Sequence, residues 1–312
     1  MKPYAFGVDI GGTTVKIGFF ETQGNLLNKW EIPTRKDMGG SLILSDIAES
    51  LQQECKARKL KKEDIEGIGL GVPGPVLEGR IVNKCVNLGW GVIDIAAEMS
   101  RLTGIENIHA GNDANVAALG EIWQGGGKGN KNLVMVTLGT GVGGGIILGG
   151  RIIPGAFGAA GEIGHFTMTR HETMSCGCGK KGHLEQYVSA TGIARKAQEL
   201  LSESNRPSAL RDAQYLSAKE VFECAKNGDE LSLEIVEFVG DTLGRALASI
   251  SCVVDPDIFL IGGGVSKAGD ILLDTIQTHF RKYAFHASEN VKFALATLGN
   301  DAGMYGAVKM VL

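Results

Sequence analysis

Two glycine–threonine turns, each set between apolar runs, constrain this chain more than any other feature. Tyr4 to Ile10 reads as a buried strand that runs into Gly11-Gly12-Thr13-Thr14, and Val15 to Phe20 is apolar again. Leu133 to Leu138 reads as a strand, Gly139-Thr140-Gly141-Val142-Gly143-Gly144-Gly145 follows, and Ile146-Ile147-Leu148 returns to strand character. Strands joined by such turns make hairpins. The chain therefore opens two domains on one plan, which agrees with the prior from a length of 312 residues. Helical spacing runs through 41–58, 93–102 and 114–123 and through most of 190–254, with further strands at 65–72, 108–110 and 257–261. Strands alternating with helices throughout predict an α/β architecture.

The turns also suggest chemistry. Gly139-x-Gly141-x-x-Gly144 matches the dinucleotide fingerprint in letters only, because that fingerprint needs a helix straight after the loop and strand residues follow here. A Rossmann oxidoreductase is disfavoured on that ground. No Gly-x4-Gly-Lys-Ser/Thr sequence occurs either. Successive turn amides form a concave anion site, and threonine hydroxyls add donors. Two matched turns point to phosphates, where one alone would read as a tight hairpin. Asp9, just before the first turn, is placed to hold Mg²⁺ through water, since that ion keeps several waters and favours carboxylates and phosphates.

Composition narrows the field. The formal charge of −4 and the absence of a long basic run give no support for nucleic acid or an anionic membrane as partner. The longest apolar run, near 133–148, is broken by glycines and too short to span a bilayer. No signal-peptide core precedes Tyr4, and six scattered cysteines make no disulfide framework. A reducing, cytoplasmic compartment is expected.

Two further spots stand out. Asn112-Asp113 follows the short strand Ile108-His109-Ala110 and opens a helix, so either residue suits the N-cap. His165, Cys176, Cys178 and His183 place four metal-ligating side chains close in sequence, and a Cys₂His₂ set suits tetrahedral Zn²⁺. Gly177, Gly179 and Gly182 would let the chain wrap tightly around an ion. The plainer reading is a free thiol pair with a solvent-facing His183.

At this point the residues carry a family resemblance. Asp9-Ile10-Gly11-Gly12-Thr13-Thr14-Val15-Lys16 resembles the first phosphate loop of the actin-like sugar kinases, Leu138 to Gly145 the second, and Ile261 to Ser266 the adenosine loop. Gly161-Glu162-Ile163-Gly164-His165, Cys176-Gly177-Cys178-Gly179 and Asn300-Asp301-Ala302-Gly303 narrow it to the ROK family of repressors, open reading frames and kinases, with bacterial glucokinases the members most alike. The resemblance spans essentially the whole chain. It implies an α/β, actin-like (ribonuclease H-like) fold of two lobes with an interlobe cleft. The small lobe would comprise 1–112 and 299–312, and the large lobe, with the metal loop, 113–298.

The same resemblance implies an ATP-dependent hexokinase of carbohydrate metabolism and glycolysis, making glucose 6-phosphate from glucose. Asp113 would be the general base, with Asn87, Asn112, Glu162, His165 and Glu185 as further hexose contacts. The nucleotide would meet Asp9, Gly11, Gly12, Thr13, Thr14, Lys16, Gly139, Thr140, Gly141, Gly262, Gly263 and Gly264, with Mg²⁺ beside it and structural Zn²⁺ on His165, Cys176, Cys178 and His183. The family usually has a third cysteine where this chain has His183. Members commonly form homodimers or higher homo-oligomers. Repressors of the family carry a helix-turn-helix segment ahead of the first loop, and only eight residues precede Asp9, which favours the kinase. The rival readings are a kinase for N-acetylmannosamine or fructose and a sugar sensor without catalysis. A sensor needs no base, so Asp113 and both loops weigh against it.

Overall fold

The first turn does close a hairpin in the computed structural model, which describes residues 1–312. β1 (Tyr4–Ile10) pairs antiparallel with β2 (Thr14–Glu21), which pairs antiparallel with β3 (Leu26–Pro33). Alternate residues of β1 and β2 must face opposite ways, yet both strands are largely buried, so apolar cover lies on both faces of this sheet. On one face lies α1 (Ile43–Ala57), which buries Ile43, Leu44, Ile47, Ala48 and Leu51 at helical spacing. β4 (Ile65–Val72) continues the sheet parallel to β1. α2 (Ile95–Thr103) crosses over, and β5 (Ile108–Asn112) completes the order β3-β2-β1-β4-β5. Asp94 caps α2 by accepting from the Ala97 amide, and Gly104 ends it in a left-handed conformation.

The chain divides into two compact units. The first comprises 1–131, 145–161 and 298–312, and the second 132–144 and 162–297. The sequence reading began its second lobe at 113. In the structure α3 (Asp113–Gln124) belongs to the first unit, because it packs on the C-terminal helix Ala302–Met310. That helix in turn places Met304 and Val308 against Ala5 and Phe20 on the other face of the sheet.

In the second unit β6 (Leu133–Leu138) runs into the second turn; β7 (Val142–Leu148) leaves it as a strand, with its residues from 145 on counted in the first unit. No helix follows Gly144, which removes the structural basis of a Rossmann site there. α4 (Ala190–Glu203), α5 (Ala218–Lys226) and α6 (Glu230–Val254) account for the helical stretch read from sequence. β8 (Ile258–Gly262) lies parallel to β6, and after α7 (Asp270–Tyr283) β9 (Lys292–Leu295) lies parallel to β8. No helix is long and apolar enough to cross a membrane.

Candidate active site and metal centre

The first unit brings Asp9, the Gly11–Thr14 turn, Lys16, Asn112 and Asp113 onto the sheet and its flanking helices. The turn is held by Gly11 N–H donating to Thr14 O at 3.0 Å, and by the Thr34 hydroxyl donating to Gly11 O at 2.8 Å. Asp9 sits opposite Lys16 across the hairpin, and the Lys16 ammonium donates to Asn300 O at 3.3 Å. The Asn300–Gly303 stretch found in the sequence thus belongs to this corner. Gly303 is required there, since a Cβ on it would lie 2.6 Å from the Asp9 carboxyl carbon. Burial pushes the Asp9 carboxyl up to about 6 against the opposing pull of Lys16, and the Asp113 charge adds to the rise. A cation at this carboxylate would relieve both burial and repulsion.

The sequence left open which residue caps α3. In the structure it is Asn112, whose side-chain oxygen accepts from the Ala114 and Asn115 amides at 3.1 and 3.3 Å. Its amide nitrogen donates to Gly74 O at 3.4 Å, so the Asn112 side chain is largely committed to backbone. Asp113 is the first helical residue, with one carboxylate oxygen accepting from Ala114 N–H at 2.8 Å. Position at a strand–helix junction fixes its backbone, and the helix N-terminus favours its charge. Asn87 lies exposed on a loop tip between Cys85 and Trp90.

In the second unit the Gly139–Gly141 turn is closed by Gly139 N–H donating to Gly141 O at 3.0 Å and tied to α4 by Ala190 N–H donating to Gly139 O at 2.8 Å. The Thr191 hydroxyl donates to Thr140 O at 3.0 Å. Glu185 lies against this turn, because a Cβ on Gly141 would sit 2.9 Å from its Oε2. Gly262 ends β8, and Gly264 borders a cavity of about 340 Å³ that Lys219, Phe222, Glu223 and Val265 also line. Sequence reading missed Lys219, Phe222 and Glu223. They share an ordinary amphipathic helix, α5, and nothing local in its pattern separates cavity residues from core.

The candidate metal ligands converge. One donor atom from each of His165, Cys176, Cys178 and His183 lies within 4.8 Å of all the others. The two imidazole Nδ1 atoms are 3.3 Å apart, Cys178 Sγ lies 3.4 Å from His183 Nδ1, and Cys176 Sγ lies 3.8 Å from His165 Nδ1. A tetrahedral zinc ion with Zn–N of about 2.05 Å and Zn–S of about 2.3 Å needs N···N of about 3.3 Å and N···S of about 3.6 Å. The donor set and its spacing therefore fit zinc. His183 is buried rather than facing solvent, so the plainer reading of that residue fails. Gly179 and Gly182 both have positive φ, as a tight wrap requires. With Nδ1 of His165 turned to the cluster, its Nε2 lies 3.8 Å from the Glu162 carboxylate. Burial first, then the Glu185 carboxylate that accepts from its sulfur at 2.7 Å, holds the Cys176 thiol above its ordinary range.

A polar network that the sequence did not reveal braces this loop. Glu172 accepts from the Met174 amide (3.0 Å), the Tyr187 hydroxyl (2.9 Å) and the Arg195 guanidinium (3.0 Å). Arg195 also donates to Gln186 O at 3.0 Å, and the Gln186 side chain accepts from His183 N–H at 3.0 Å. Burial works against the Glu172 charge, yet the Met174, Arg195 and Tyr187 donors together hold its carboxyl down to about 2. Glu172→Ala is therefore expected to lower the unfolding free energy by about 1–3 kcal/mol, the usual cost of removing a charged hydrogen-bond partner from a part-buried network. Urea titration at pH 7 measures it, and a loss below about 1 kcal/mol would contradict the bracing role. Because the folded value lies below the ordinary 4.5, the contribution is present above about pH 4.5 and is lost as pH falls through about 2.

Comparison with known proteins places this geometry in context. A match to the ROK family covers residues 5–312. The chain is 44% identical to a glucokinase of Halalkalibacterium halodurans over 96% of its own length and 92% of that protein. It is 33% identical to a glucokinase of Thermotoga maritima, over 98% of this chain and 96% of the other. Among solved structures, a ROK family glucokinase from Streptomyces griseus in complex with glucose and AMPPNP superposes with a TM-score of 0.74 at 30% identity, covering 98% of each chain.

Proposed function

Since this chain belongs to the ROK family, we propose that it transfers the γ-phosphoryl group of ATP to a hexose, with glucose the preferred acceptor and glucose 6-phosphate the product. The observation that carries the reading is the division of labour at the start of α3. Asn112 takes the helix cap, and Asp113, whose carboxylate accepts from the Ala114 amide through one oxygen, lies near enough to the first phosphate hairpin for its charge to raise the Asp9 carboxyl.

Phosphoryl transfer needs positioning, charge neutralisation and a proton acceptor. Asp113 accepts the proton of the hexose 6-hydroxyl as that oxygen bonds to the γ-phosphorus. The bond from phosphorus to the β-bridging oxygen breaks, and ADP leaves with the electron pair. Backbone amides of the Gly11–Thr14 and Gly139–Gly141 turns cradle the phosphates, and Lys16 adds positive charge. Asp9 is the residue that would hold Mg²⁺ arriving with ATP, through water, and the ion would supply charge neutralisation at the phosphates. The adenine ring suits the cavity beside Gly264, where Phe222 and Val265 give a flat heterocycle apolar contact.

Hexose recognition falls to Asn87, Glu162, His165 and Glu185, because each desolvated hydroxyl needs a partner. Asn112, whose side chain serves the backbone, contributes mainly by shaping the start of α3. Zinc on His165, Cys176, Cys178 and His183 would be structural, fixing the His165 tautomer and leaving Nε2 to donate to the sugar. An ADP-release assay with Mg-ATP across a hexose panel tests the function. The highest kcat/KM is expected on glucose. A higher value on N-acetylmannosamine or fructose would move the substrate, and no turnover on any sugar would overturn the kinase.

A further inference from the structure

The tip that carries Asn87 is supported by a feature that neither the phosphate turns nor the metal cluster explains. Residues 85–90 close on themselves, because Cys85 and Trp90 exchange both backbone hydrogen bonds at 3.0 Å. Leu88 and Trp90 are anchored in the core at 0% and 6% exposure, while Asn87 between the two anchors stays exposed. A side chain raised on a closed, anchored turn keeps its position without a ligand, which is how a rigid binding contact is built.

Segment 37–40 lies against this tip. Met38, Gly39 and Gly40 are three consecutive left-handed residues, with φ of +51°, +66° and +71°. Met38 has a side chain that resists this conformation and is 76% exposed, so burial does not compensate it. The conformation is held from the other side. The Trp90 indole N–H donates to Gly40 O at 3.0 Å in a buried bond, and a Cβ on Gly40 would collide with Leu88 O. Gly89, itself left-handed at φ +78°, backs onto Gly39, where an added Cβ would lie 3.1 Å from the Gly39 Cα. A backbone held in a sparsely populated conformation and over-determined by its neighbours is a feature of binding sites and clamps.

We propose that Gly40 and Trp90 are positioning residues that act through Asn87, and that the 37–40 segment is a brace setting how tightly the hexose is held. This rests on the reading of Asn87 as a hexose contact. A double-mutant cycle tests it. Trp90→Phe removes the indole N–H and keeps an aromatic ring, and Gly40→Ala pushes on Leu88 O. Each is expected to raise the hexose KM roughly tenfold, with kcat and the KM for ATP within about twofold, as expected when ground-state binding alone is weakened. In an Asn87→Ala background the same changes should move the hexose KM by less than about twofold, because coupled residues are non-additive. An equal rise with and without Asn87, or no rise in either folded variant, overturns the brace. If Asn87→Ala alone leaves the hexose KM unchanged, the Asn87 reading fails and takes the brace with it, a result distinct from the first. Because Gly40→Ala acts by displacement and Trp90→Phe by loss of one bond, poor folding of one leaves the other to decide.

Discussion

Asp113→Asn is expected to lower kcat by about 10²–10⁴, the usual weight of general-base catalysis, with little change in the hexose KM. Asparagine keeps the size of the side chain and an oxygen for the Ala114 N–H that now meets Asp113 at 2.8 Å. The Asn112 cap is untouched, so α3 should start at the same residue. What is lost is the capacity to take a proton at neutral pH. The thermal midpoint should therefore stay close to that of the parent chain while turnover collapses. Single-turnover measurement of ADP release separates chemistry from product release. Near-parental turnover in a folded variant would remove Asp113 as base. The substitution also deletes the charge that helps raise Asp9, so the Asp9 carboxyl should move down towards its ordinary range.

The second large effect concerns the metal loop. Cys176→Ala is expected to reduce zinc from about one ion per chain to near zero and to lower hexose kcat/KM by at least about 10²-fold. Even outer partners of metal ligands carry 10–100-fold, and Cys176 is both a buried donor and the hydrogen-bond partner of Glu185. Losing it disturbs His165 and Glu185 together. Elemental analysis of protein purified without added zinc, run beside the kinetics, reads both outcomes. Cys55→Ser, away from the cluster, serves as the control. A parental chain without zinc and with full activity would take the ion out of the account.

Much of this was legible because it is local. A hairpin turn such as Gly11–Thr14 is written in four residues, and so is the helix start at Asn112-Asp113. Even there the sequence held two candidates for one cap, and only the positions of the Ala114 and Asn115 amides decided between them. The His165–His183 cluster was readable because all four side chains fall in one loop, whereas Arg195, which braces that loop, arrives on a separate helix. Segment 37–40 reads as an ordinary linker. Its left-handed run exists because Leu88 and Trp90, distant in sequence, hold the other side of it. The lobe boundary moved past 113 for a similar reason, since α3 finds its packing partner in the last helix of the chain.

That last helix bears on how the protein is made. Synthesis runs from the N-terminus, and leading domains commonly fold as they emerge. Here the sheet with Asp9 cannot cover the Ala5 and Phe20 face until Met304 and Val308 have left the ribosome. The second unit, drawn from 132–144 and 162–297, is complete before then. The unit that begins first is thus finished last, and a nascent chain that stopped before Met304 would hold the whole second unit yet leave the Ala5 and Phe20 face open to water.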